Sequence, residues 1–145
     1  MSTAALITWI ITAGFGFYML SIWLRGGGAQ SADGSASSFR PPVVFGHFGL
    51  AATGLVLWII YVFTDAAALA WIAFILLVVV AVLGDLLVVR WLKDRRAVGH
   101  SVGSMHAGQA LAEQKFPTPV VALHGVFAVT TVVLVLLAAI GVGGS

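Results

Sequence analysis

The sequence has no cysteine, only four prolines and four histidines among 145 residues, and only 8% charged residues. Without cysteine there are no disulfides, thiolate-bound metals, iron–sulfur clusters or covalently attached c-type haem. Any metal or cofactor must rest on His, Asp, Glu, Met or backbone. So little charge excludes an ordinary soluble domain, in which about a quarter of residues are charged. Catalytic motifs are missing too: there is no nucleophile with a nearby base, no HExxH-type pattern, and no Lys-Ser/Thr after the glycines at 26–28, so a phosphate-binding loop is untenable. What fills the chain instead is apolar, 61% of it, with a mean hydropathy of +1.10. No polar block is long enough to form a separate extramembrane domain, and residues 1–145 read as a single transmembrane domain.

Four stretches are long enough to cross hydrocarbon, which takes about 20 helical residues: 4–24, 43–63, 69–92 and 120–142. The first lacks the basic leader of a signal peptide and reads as a retained helix. Between the spans lie a Gly/Ser-rich loop, a short link around Thr64 and Asp65, and a polar loop from Asp94 to Thr118. The expected fold is an all-α integral membrane four-helix bundle. All seven basic residues, Arg25, Arg40, Arg90, Lys93, Arg95, Arg96 and Lys115, fall on the side of the two longer loops. By the positive-inside rule those loops are cytoplasmic and both termini are extracytoplasmic, as in a multi-pass protein of the cell membrane. The net charge of +2 therefore reports orientation rather than affinity for nucleic acid. Trp9, Trp58, Tyr61 and Trp71 are expected at the outer membrane interface, and Trp23 and Trp91 at the inner one.

An internal duplication organises the chain. At an offset of 77 residues, PVVFGHFGLAATGLVL matches PVVALHGVFAVTTVVL in eight of sixteen positions. These include the scarce pairs Pro42/Pro119 and His47/His124, together with Thr53/Thr130. At an offset of 68, Gly16 and Trp23-Leu24-Arg25 lie over Gly84 and Trp91-Leu92-Lys93. The fold is then two duplicated two-helix hairpins in the same orientation, related by an axis along the membrane normal. His47 and His124 are expected to face each other across that axis, each about 7.5 Å along its helix from the opening proline.

An intramembrane histidine is costly unless it faces the bundle interior, where it marks a functional site. The paired imidazoles suit the two axial positions of one b-type haem per chain, with Gly46, Gly49 and Gly125 leaving room for a flat group. Arg40 and Lys115, or Arg95 and Arg96, would lie near its propionates. Asp85, at nearly the same depth, is a candidate to accept a hydrogen bond from a ligating histidine or to pair with Arg90 or Lys93. His106 is a candidate to approach the haem edge from a short interfacial helix after Ser104, and His100 reads as a loop residue. Thr53 and Thr130 are expected to bond within their own helices.

The four-span layout and the positions of His47 and His124 resemble the small membrane b-type cytochromes, including the cytochrome b561-like group. The resemblance implies a haem-binding electron carrier or redox subunit rather than a stand-alone enzyme. Its partners would be a redox protein or a quinone, within the bilayer and in a homo-oligomer or alone. Larger members carry two histidines on one helix, one in each leaflet. Here the outer half has none, which implies a single haem near the cytoplasmic leaflet. Three other readings stay open. His47, His124 and Asp85 would suit a metal-ion or proton transporter. The aliphatic run ILLVVVAVL would suit a non-catalytic subunit of a larger complex. The two histidines would also serve simply to join the hairpins, by bonding each other or carbonyls.

Overall fold

The structure is a computed structural model that describes residues 1–30, 35–100 and 111–142, with the side chains of 98–100 left aside. It is all-helical. The four long helices are α1 (Ser2–Arg25), α2 (Pro41–Thr64), α3 (Ala67–His100) and α4 (Thr118–Ala139), with short 3-10 turns at Gly28–Gln30 and Ala112–Lys115. Each long helix has the length and hydropathy to cross a membrane, the third over Ala67–Ala97. Four such helices suggest a multi-pass membrane protein.

The ends of the helices follow from local chemistry. Helix α1 stops where Gly27 takes up φ +81°, a conformation that costs glycine little. Helices α2 and α4 both open with proline in the first turn, where the missing N–H goes unneeded. Asp65, at φ 51°, turns the chain out of α2 and into the two-residue link before α3. The expected spans agree to within two residues for α1 and α2. Helix α3 runs eight residues beyond its expected end at 92, through Lys93, Asp94, Arg95 and Arg96. These polar residues are good or adequate helix formers that a hydropathy reading does not count.

Helix α1 packs most closely on α4, and α2 on α3, while α1/α2 and α3/α4 meet along thinner contacts. The close pairs are thus not the sequence hairpins α1–α2 and α3–α4, and a looser seam divides the α2/α3 pair from the α1/α4 pair. The perimeter is studded with exposed aliphatic and aromatic side chains, among them Ile10, Phe63, Ile75, Leu86 and Val129. An apolar girdle of this extent suits hydrocarbon rather than water.

Two aromatic layers close the bundle. At the link end, where Ser2, Asp65, Ala70 and Ala138 line a common recess, Trp9 and Trp58 are buried with Ala5, Ala70, Ala73, Leu77 and Val135. At the loop end, Trp23, Phe39, Trp91, Ala112 and Phe116 form a second cluster. Four of the tryptophans expected at lipid interfaces therefore turn inward, leaving Trp71 as the exposed one. Small residues make the space: a Cβ on Gly54 would stand 3.1 Å from Cζ2 of Trp9. Three of the buried indoles donate within the chain, Trp58 to the Ser2 carbonyl at 3.2 Å, Trp23 to Ser37 Oγ at 2.8 Å and Trp91 to the Glu113 carbonyl at 3.0 Å.

Candidate functional site

Between the two aromatic layers, His47 on α2 and His124 on α4 face each other with ring centroids 6.4 Å apart and planes inclined at 54°. Each ring is anchored inside its own close helix pair. Nδ1 of His47 lies 2.9 Å from the Val80 carbonyl on α3, and Nδ1 of His124 lies 3.0 Å from the Thr12 carbonyl on α1. A carbonyl only accepts, so in each ring Nδ1–H donates and the neutral imidazole keeps its lone pair on Nε2.

A helical carbonyl already accepts from the N–H four residues on, and it has a second lone pair for another donor only where that donor can reach it. Glycine supplies the access. Four residues beyond Val80 and Thr12 stand Gly84 and Gly16, and each histidine's Cε1 sits close against the place a Cβ would take. A Cβ would be 3.1 Å from Cε1 of His47 at Gly84, and 3.2 Å from Cε1 of His124 at Gly16. The two half-sites use the same sequence offsets, 68 from Thr12 to Val80 and from Gly16 to Gly84, and 77 from His47 to His124.

Neither Nε2 has a hydrogen bond among the described residues. No fully enclosed side-chain nitrogen or oxygen among those residues lacks a partner, so neither Nε2 is sealed off by packed atoms. Gly46 and Gly125, beside the histidines, and the exposed Gly49 have nothing within 4 Å of a Cβ position. The glycines that touch the histidines are thus Gly16 and Gly84 across the helix pairs, not the neighbours in sequence. Their alignment at offset 68 was the available signal, because a matched mid-helix glycine in two helices requires a reason.

Asp85 does not join the site. It directly follows Gly84 on α3, so its side chain leaves the helix about 100° away from the histidine-facing side, and it is exposed. Both Nδ1 positions that it was expected to serve are taken by carbonyls. Among the described residues no group of three or more His, Cys, Asp or Glu side chains could hold a metal ion, so the three-donor His/His/Asp arrangement is not assembled. Thr53 and Thr130 bond to Gly49 and Val126 carbonyls of their own helices, at 2.8 and 2.9 Å, and face outward. Arg40 and Lys115 are exposed at the loop end. Arg95 donates to Thr118 Oγ1 at 2.9 Å and lies over the Trp91 ring. His106 lies outside the described residues, as does the side chain of His100.

Glu113, which no sequence pattern singled out, is fully buried at the loop end. Its carboxylate accepts from Ser37 Oγ at 2.7 Å and from the Ser38 N–H at 2.7 Å, while Ser38 Oγ donates to Asp94 on α3. The Ala112 N–H donates to the Ala36 carbonyl at 2.8 Å. The segment before α4 is thereby stitched to the segment before α2, over the ends of α1 and α3.

No protein-family model, no curated protein and no solved structure matches this chain.

Proposed function

We propose that the chain is a membrane b-type haem protein in which His47 and His124 supply the two axial ligands of one haem and which carries single electrons. The observation that carries this reading is the pair of Nδ1–H to carbonyl bonds, which leave the Nε2 lone pairs uncommitted on two rings whose centroids are 6.4 Å apart. A metal-ligating histidine characteristically donates its other ring N–H to a carbonyl or carboxylate, which fixes the tautomer and raises the basicity of the ligating nitrogen. Histidines that served only to join helices would gain nothing from leaving a second polar atom unpaired in an apolar bundle.

The spacing supports the same reading. Metal–nitrogen bonds of about 2.0 Å would let His47 and His124, with centroids 6.4 Å apart, reach a single metal between them. The seam between the α2/α3 and α1/α4 pairs is also where the bundle is least closely packed, as a flat group between the rings requires. Haem supplies one-electron chemistry when bound. His47 and His124 would hold the iron and the aromatic layers would exclude solvent, an arrangement that favours electron transfer over oxygen chemistry.

The matched half-sites support a duplicated pair of hairpins. The charge distribution supports a loop end in the cytoplasm, with Arg40 and Lys115 near enough in sequence to the ligand helices to attract propionates. Electrons would pass to or from a redox protein or a quinone. The reading is tested by extracting and quantifying non-covalent haem from protein purified after haem-sufficient expression. One haem per chain is expected; purified, folded protein with no haem would contradict it.

A further inference from the structure

Asp85 has an anomalous position that the histidine site does not use. Level with the histidine pair through its neighbour Gly84, it is exposed on the outer face of α3 between Val82, Leu86 and Val89, which are 56%, 58% and 49% exposed. It makes no hydrogen bond or ion pair among the described residues. The nearest cation on its own helix, Arg90, is five residues on, which places it about 140° round and 7.5 Å along the axis. Lys93, eight residues on, lies closer to the same face but about 12 Å away. The other acidic side chains among the described residues are differently placed. Glu113 and Asp94 accept from Ser37 and Ser38, and Asp65 lies in the link at the bundle's end.

A carboxylate on an aliphatic, lipid-facing surface is costly and is retained where it finds a partner. A second copy of this chain would not provide one. Copies inserted in the same orientation meet at equal depth, so Asp85 would face Asp85, and like carboxylates disfavour ionising together.

We propose that the Asp85 face of α3 is the docking surface for a transmembrane helix of another protein that presents a lysine or arginine at the depth of Asp85. The aliphatic side chains around Asp85 supply the packing surface, and the buried ion pair fixes depth and register, as polar contacts do between membrane helices. This inference does not rest on haem binding.

The test uses the full chain, purified, labelled with a donor fluorophore and reconstituted in phosphatidylcholine vesicles. It is titrated with acceptor-labelled synthetic Leu/Ala transmembrane helices carrying Lys, Leu or Glu at the matching depth. Energy transfer should show the Lys helix associating about ten-fold more tightly than the Leu helix, and the Glu helix no more tightly than the Leu helix. Asp85→Glu should keep that preference and Asp85→Asn should abolish it, with unchanged helical circular dichroism in both. Equal association of the Lys and Leu helices, or an undiminished preference in Asp85→Asn, would overturn the proposal. So would Asp85-dependent self-association of the chain without any added helix.

Discussion

The two histidine half-sites share a backbone and differ in what surrounds it. In the α2/α3 half, the carbonyl beneath His47 belongs to Val80, and towards the link end stand Leu76 and Gly54, all without side-chain polar atoms. In the α1/α4 half, the equivalent carbonyl belongs to Thr12, and hydroxyls continue towards the link end. Thr12 donates to the Thr8 carbonyl at 2.8 Å, Thr8 to the Ala5 carbonyl at 3.0 Å, and Thr131 on α4 lies 3.0 Å from the Thr8 hydroxyl. The loop end shows a similar contrast. The Trp23 indole reaches a side chain, Ser37, whereas the Trp91 indole reaches the backbone of Glu113, whose carboxylate crosses to the other half. What the halves have in common is the geometry of histidine, carbonyl and glycine. Where they differ, the residues stitch helices and loops together.

If that division is right, the largest effects belong to the shared elements and should be equal in the two halves. His47→Ala and His124→Ala should each abolish stable haem binding, because each removes one of the two proposed ligands. Full retention in both variants would show that neither ring binds it. Next come the glycines. Gly16→Val and Gly84→Val crowd branched carbon against Cε1 of a histidine, which should push the ring off its carbonyl and weaken haem affinity by about ten-fold or more. Haem titration of the purified variants measures this. Unchanged affinity in both would break the link between the glycines and ligand geometry.

Substitutions in the unshared elements should lower stability and spare the haem. Glu113→Ala removes the acceptor for Ser37 Oγ and the Ser38 N–H, and should cost about 2–3 kcal/mol, read as a lower unfolding midpoint in detergent with haem content intact. Loss of haem in proportion to loss of stability would show instead that the loop-end stitching and the site are one unit. The smallest effect is expected at Thr131→Val, about 0.6 kcal/mol. It should appear as weaker α1/α4 association without a change in the absorption spectrum. A spectral shift there would mean that the hydroxyls reach the ligand through the Thr12 carbonyl.

The sequence revealed these features unevenly, for a physical reason. In water, the apolar stripe of a helix says which side faces inward. In helices that are apolar on every side, as these are, the stripe disappears. Helix number, the starts of α1 and α2 and the opposition of His47 and His124 were legible from length, proline placement and internal repetition. The direction of Asp85 was not, because one position along an aliphatic helix decides between facing His47 and facing outward. The inward turn of Trp9, Trp23, Trp58 and Trp91 was lost for the same reason. Glu113 was hidden differently: its burial depends on two loops meeting over the bundle's end, which no local pattern encodes.

We propose that two Nε2 lone pairs, left free by the Val80 and Thr12 carbonyls, hold one haem between them. The most direct measurement is the absorption spectrum of the purified wild-type protein, air-oxidised and then reduced with dithionite. A Soret band that shifts on reduction is expected, with the sharp visible bands of a six-coordinate low-spin haem. A folded protein with no Soret band after haem-sufficient expression would contradict it.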